Sequence, residues 1–350
     1  MYSEVTSVAF YPNSQCIVTG SKDRTAKIWD MCTRKCSLIL QGHRSDIYSV
    51  ACSPNGKYVL TACRDGTVKI WDAITGICIQ TRQAHDFFID HSADIHCRDT
   101  LFGCISPGGV LSAKYSLNGK YIVTASEDHT AKIWDSNLVN CLKVLHGHNW
   151  FVLSASYSPD DHYVATASWD GTVKIWDLKN GLCTQTLQIF EEINDVSYSP
   201  NGHHIVTAPL EGAAKIWDIT TGTCLQTLKE PTNSIVSANY SPDGCYIITT
   251  SWSGIANIWN SQIGSCIQTL QGHTSKINSA IYSPCGCYIV TASDDGTSKI
   301  WSVKENEYID TLPNITGLMI QGVDFRHIHP DSSLDEEHRE LLRRYGAIID

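Results

Sequence analysis

Short apolar segments alternate with turn residues along most of the chain, and the alternation has a period of two. Residues 277–301 show the phrase most clearly: INSAIYSP alternates apolar and small polar positions, CGC turns, YIVTAS follows, DDGT turns again, and SKIW comes next. A last apolar stretch, EYIDTLP, ends the unit. Period-two runs bounded by Gly, Pro, Asn and Asp predict four short strands per unit. The unit repeats. Trp29, Trp71, Trp134, Trp176 and Trp217 each stand in KIWD, Trp259 in NIWN and Trp301 in KIWS, at spacings of 42, 63, 42, 41, 42 and 42 residues. Repeats of this length are the primary signal for the fold, and the third carries an insertion.

A four-stranded sheet with two apolar faces cannot bury both alone, so seven are expected to stack around an axis and close a ring. In its repeated tryptophans, turns and strand phrases, the chain resembles the WD-repeat family over residues 2 to about 312. The resemblance implies an all-β, seven-bladed β-propeller over residues 1–313, with blades near 1–42, 43–84, 85–146, 147–188, 189–230, 231–271 and 272–313. An insertion occupies 86–109, and a tail with a short helix occupies 314–350. The even phrasing of SYSPNG, NYSPDG and YIVTAS resembles bacterial repeats.

The family's structural network joins a His that follows a Gly, an Asp six residues before the Trp, a strand hydroxyl and the Trp indole. The sequence shows it complete in three blades: Gly42, His43, Asp65 and Trp71; Gly147, His148, Asp170 and Trp176; Gly272, His273, Asp295 and Trp301. Blade five has Glu211 for the Asp and Gln188, Ile189, Phe190 for the Gly-His segment; blade six has Ser253 and Lys229, Glu230, Pro231. Losing one partner strands a buried polar group at about 1 to 3 kcal/mol, so the network is expected to fail as a unit. Blade one keeps Asp23 without a preceding His. Either upstream sequence is missing or the ring closes without the usual exchanged strand.

Composition narrows the function. A formal net charge of −10 argues against nucleic acid as a partner. The N-terminus has no basic start leading into an apolar core, and no apolar run is long enough for a membrane span. Of 15 cysteines, Cys36, Cys78, Cys141, Cys183, Cys224 and Cys266 recur once per unit. They read as small buried hydrophobes of a reduced, cytoplasmic protein. His91, His96, Cys97 and Cys104 of the insertion offer four ligands for a zinc ion, but the spacing fits no standard finger. No metal or other cofactor is expected, and no nucleophile elbow or phosphate loop is present. A protruding loop or short helix is the simpler reading of the insertion.

Three tryptophans lie outside the repeat: Trp150, Trp169 and Trp252. Trp169 and Trp252 precede the turn Asp or its substitute, a position that the resemblance places on the top face around the central channel. Two residues flanking the first apolar position of each inner strand join them there. Blades three to six then present Leu111, Phe151, Leu153, Trp169, Leu210, Val236 and Trp252, while blades seven, one and two present mostly polar groups, with Tyr48 and Arg64 among them. An apolar sector with a polar rim is the composition of a site for protein or peptide partners. The plainer alternative is that the two tryptophans only cover neighbouring turns.

The tail carries a capping box from Ser333 to Glu336, an apolar face of Leu334, Leu341, Leu342 and Tyr345, and a stop at Gly346. IQGVDFRHIHP resembles one pentapeptide-type coil. The tail is expected to pack on the propeller, or to be the end of a larger assembly whose docking module is the propeller. The leading expectation is a monomeric, non-catalytic scaffold for protein or peptide partners. An enzyme or metal-dependent module centred on the insertion competes with it, and recognition of a modified peptide or ubiquitin is a third class.

Overall fold

The structure is a computed structural model, and it describes residues 3–86, 88–90, 104–106, 108–229, 234–304 and 308–314. Seven antiparallel sheets of four strands follow one another in chain order. In the first, β1 (Val5–Phe10), β2 (Cys16–Ser21), β3 (Thr25–Asp30) and β4 (Cys36–Gln41) pair in sequence from the inside outward. Two further short strands, Phe88–Asp90 and Cys104–Ser106, pair as a hairpin where a loop or short helix was expected. The expected tail helix and its Ser333 capping box, the pentapeptide-like coil, Glu230 and Pro231, and the insertion residues His91, His96 and Cys97 lie outside the described residues.

Sheets become blades because their apolar faces are covered only by other sheets. Each of the seven buried clusters straddles one junction. Val5, Val8, Phe10 and Trp29 pack on Val290, Ala292, Ile300 and Leu312 of the seventh sheet, and Val18, Ile28 and Leu40 pack on Ile47, Val59 and Trp71 of the second. Burying a side chain of this size contributes roughly 1.5 to 3 kcal/mol. The ring closes without an exchanged strand, the second of the two arrangements expected for blade one: the first and last sheets each consist of four consecutive strands.

An indole-to-threonine hydrogen bond recurs in every blade. Trp29, Trp71, Trp134, Trp176, Trp217, Trp259 and Trp301 donate to Thr19, Thr61, Thr124, Thr166, Thr207, Thr249 and Thr291 at 2.8 to 3.1 Å. In blade four the chain of bonds continues outward. Thr166 Oγ1 lies 2.7 Å from His148 Nε2, and His148 Nδ1 lies 2.9 Å from Asp170 Oδ2. A carboxylate can only accept, so Nδ1 carries the proton, and the threonine hydroxyl donates to Nε2 while accepting from the indole. Burial alone would raise the Asp170 carboxyl, but hydrogen bonds led by His148 and Thr172 outweigh it and hold the group well below the usual range. Blade seven repeats the relay through His273 and Asp295, whose carboxyl is pulled down to about 2 against the same burial.

The structure corrects the network in three places. A complete relay that the sequence does not display exists in blade three, where His85 bonds Thr124 at 2.8 Å and Asp128 at 2.7 Å. In blade two, His43 Nε2 meets Thr61 at 2.6 Å, but Nδ1 faces the Thr67 hydroxyl at 3.3 Å, and Asp65 acts on it through charge. In blades five and six only the outer His-Asp half is lost; the indole bond survives. Ile189 is buried instead, and Phe190, at the His position, turns out to solvent with 85% of its surface exposed and φ 69°.

Blade one replaces the missing histidine with two residues 287 positions apart. Lys27 is 3% exposed, bonds Asp23 at 3.2 Å and donates to the Asn314 side-chain oxygen. The Asn314 amide donates to Ser21 Oγ at 2.6 Å and to the Ser3 carbonyl at 2.9 Å, and the Ser3 N–H returns a bond to the Asn314 carbonyl at 3.2 Å. A buried ammonium needs both a counter-charge and further acceptors, and Asp23 and Asn314 supply them together.

The repeated cysteines also need correction. Cys36 is buried, but Cys78, Cys141, Cys183, Cys224 and Cys266 are exposed. They open the fourth strand, which is the outer edge of each blade, and a bulge there opposes each of them to the repeat Trp. Their thiols turn back to the carbonyl two residues on, as Cys183 does to Gln185 at 3.2 Å.

Two predictions follow from this architecture. Trp176→Ala should destabilise the protein by about 3 to 5 kcal/mol, and Asp170→Ala by about 1 to 3 kcal/mol through an orphaned His148, while Ser253→Ala should cost under about 1 kcal/mol. Urea unfolding of the three variants checks the order. The second concerns acid. Burial pushes the His43 imidazole down to about 4 from an ordinary 6.5, against the pull of Asp65. The unfolded chain therefore binds a proton that the folded chain refuses between those values, and stability falls as pH drops from 6.5 toward 4, by roughly 3 kcal/mol for this group. Burial lowers His85 as well. Unfolding midpoints measured at intervals from pH 7.5 to 4.5 should fall, and the slope should be shallower in His43→Gln.

Candidate protein-binding face

A β-bulge at the start of every inner strand builds the top of the channel. In blade one Val5 pairs with Ser21 and Ser7 with Gly20, so Thr6 is left out of the ladder. The same slip frees Tyr48, Leu111, Leu153, Asn194, Val236 and Asn278 in the other six blades. A bulge re-aims the extra side chain. All seven of these residues line one cavity of about 610 Å³, together with Lys22, Glu127, Phe151, Trp169, Leu210, Trp252, Lys276 and Asp294.

Eight of the nine residues predicted from sequence therefore come together: Tyr48, Leu111, Phe151, Leu153, Trp169, Leu210, Val236 and Trp252. Arg64 does not. It stands outside the cavity, with 56% of its side chain exposed, 4.0 Å from Asp46. The two-toned distribution is present in the structure. Phe151 and Trp169 rings lie 5.7 Å apart, and the Trp169 N–H donates to Asn194 Oδ1 at 3.1 Å, so this indole has a local role. Trp252 is freer, with 54% of its surface exposed.

Across the cavity the charges are arranged in pairs. Lys276 places its ammonium 4.4 Å from the centre of the Trp252 ring. Burial pulls the Lys276 ammonium below its ordinary value, and the nearby Asp294 carboxylate opposes this. Asn278 donates to Asp294 Oδ1 at 2.6 Å and to the Val5 carbonyl at 2.9 Å. Lys22 pairs with Glu4; burial works against its charge, but that hydrogen bond together with the charges of Glu4 and Asp294 outweighs it and leaves the group raised. Burial also raises the Tyr48 phenol.

The aromatic sector is larger than the sequence reading had it. Trp150 stacks on His129 at 5.9 Å and 20°, and both rings approach Phe151 within 5.8 Å. His129 occupies a left-handed position, φ 68°, where the matching turns carry Gly66, Gly171 and Gly296. A histidine at a glycine position was the signal available in the sequence.

Among the described residues, one group elsewhere has the composition of a metal site. His43, Cys63 and Asp65 place one ligand atom each within 4.8 Å of one another. Burial pushes the Cys63 thiol up to about 12, so it stays protonated at neutral pH, and the ring nitrogens of His43 already face Thr61 and Thr67. The thiol stands where Ser126, Ser168 and Ser293 receive the Asp N–H of their own turns. Its chemistry is that of a relay with a serine replaced.

Seven stretches, residues 2–30, 34–72, 95–135, 139–177, 181–218, 222–260 and 264–302, match the family described as WD domain, G-beta repeat. Two similar curated proteins are both called nuclear distribution protein PAC1. That of Arthroderma otae is 27% identical over 151 residues, 42% of this chain and 30% of its own length. That of Coccidioides posadasii is 31% identical over 147 residues, 41% of this chain and 28% of its own length. The chain thus spans under a third of either relative. No described helix is long and apolar enough to cross a membrane.

Asn194→Ala should destabilise the protein by about 1 to 3 kcal/mol, because it leaves the half-buried Trp169 N–H unpaired. Trp252→Ala should stay within about 0.5 kcal/mol of wild type, as an exposed position does. Thermal melts of the two variants distinguish a supporting indole from an available one.

Proposed function

The chain belongs to the WD-repeat family, and on that premise we propose that it is a non-catalytic, monomeric scaffold that binds protein or peptide partners on its top face. The observation that carries this reading is the convergence of seven bulged side chains and four further aromatic or aliphatic ones, Phe151, Trp169, Leu210 and Trp252, on a single cavity. The partner segment that suits it presents an aromatic or aliphatic side chain to blades three to six. Its polar or charged flank then faces Lys276, Asp294 and Lys22. Enzymatic chemistry is not needed to account for any of these groups. The reading includes residues 1–313 as the docking module and a cytoplasmic location.

Partners captured from lysate by the wild-type protein provide the ligand for a direct affinity measurement. Trp252→Ala and Phe151→Ala should each weaken binding by about 2 kcal/mol or more, as anchors in a desolvated patch do. Asp294→Ala and Arg64→Ala should act mainly on association rate and salt dependence. Affinity that survives the aromatic substitutions but disappears when residues 91–103 are removed would move the site to the insertion.

A further inference from the structure

The turn between the first and second strands follows one rule in six blades. Its third position is Asn13, Asn55, Asn118, Asp160, Asn201 or Asp243. The side-chain oxygen there is an acceptor. Asp243 receives the Ser241 hydroxyl at 2.6 Å and the Cys245 N–H at 3.0 Å, and Asp160 receives Ser158 at 2.5 Å and the His162 N–H at 3.0 Å. Such a cradle of donors is built for an acceptor and favours negative charge.

Blade seven places a sulfur in it. Cys285 stands at the acceptor position, its Sγ 3.2 Å from the Ser283 hydroxyl, and Cys287 supplies the residue two further on. Gly286 between them has φ 72° and open space around its Cα. Both thiols are exposed. Partial burial works against the Cys285 thiolate, but hydrogen bonds from Ser283, the Cys287 N–H and Ser14 of the neighbouring blade outweigh it and bring the thiol down to about 7. Its hydrogen bond with Cys285 raises Cys287 in return. The Cys287 thiol donates to the Cys285 carbonyl at 3.5 Å, and one acidic and one reluctant thiol two residues apart are the arrangement of an attacking and a resolving cysteine.

We propose that Cys285 and Cys287 form a reactive dithiol that is a modification site for low-molecular-weight disulfides. The Cys285 thiolate attacks one sulfur of the disulfide RSSR, forms a Cys285–S–S–R bond and releases RS⁻. Cys287 then gives its proton to solvent, attacks the Cys285 sulfur and displaces the second RS⁻. The two protein thiols are oxidised by two electrons to one intrachain disulfide, RSSR is reduced, and the two thiol protons end on two molecules of RSH.

Cys245 provides the internal comparison. It is exposed and occupies the Cys287 position of the preceding blade, with Asp243 in place of Cys285. Isotope-coded alkylation of the full chain with iodoacetamide at pH 6.5, read by peptide mass spectrometry, should label Cys285 on the order of tenfold faster than Cys245. Equal rates overturn the proposal without any variant being made. Treatment with oxidised glutathione should give a Cys285–Cys287 disulfide in the wild-type protein and a stable glutathione adduct on Cys285 in Cys287→Ser. Adducts forming preferentially on Cys287, or persisting on wild-type Cys285 without closure, would overturn the assigned order of attack.

Discussion

The need to cover both faces of every sheet governs this molecule. Four strands of alternating pattern bury little by themselves, and each blade draws its core from two neighbours, so all seven junction clusters share residues of two sheets. No sheet has a face to spare once the ring is closed. The relay from indole to threonine to histidine to aspartate works inside that constraint. It satisfies polar groups that stacking has removed from water, and its individual members can vary as long as the buried donors keep acceptors.

That distinction explains where the relay is allowed to differ. The indole and its threonine are central to each blade, and their bond is kept in all seven. The His-Asp half sits nearer the top, where Ile189 can fill the space while Phe190 faces solvent, or Lys27 and Asn314 can meet across the two ends of the described chain. Joint loss was therefore the right physical expectation for the outer half and the wrong one for the whole.

Much of the architecture was legible because the repeat is a ruler. Offsets from the SP turn located Leu111, Leu153 and Val236 at the channel mouth, although the reason, a bulge that takes each out of the ladder, is a matter of backbone pairing that spacing alone does not display. The ruler failed where the chain interrupts it. His85 stands 43 residues from Asp128 because the insertion lies between them, whereas His148 stands 22 from Asp170. Lys27 and Asn314 have no shared local motif at all. The repeated cysteines were misplaced because periodicity gives the strand and not its depth, and the fourth strand is the outer edge.

The bulges have a consequence for how such a surface can change. A residue omitted from the pairing register answers to no cross-strand partner, so it can be replaced without disturbing the two strands that carry it. The scaffold thus offers a circle of seven positions spaced by one repeat, open to change where the side chain is apolar, as at Leu111, Leu153 and Val236, and tied to neighbouring groups where it is polar, as at Thr6, Asn194 and Asn278. Duplication supplies the circle, and point substitution writes on it one position at a time. In this chain Leu111 and Leu153 at neighbouring positions and Val236 beyond Asn194 could become apolar, and a histidine could enter a glycine turn beside the first of them, while the same interior continued to be assembled underneath.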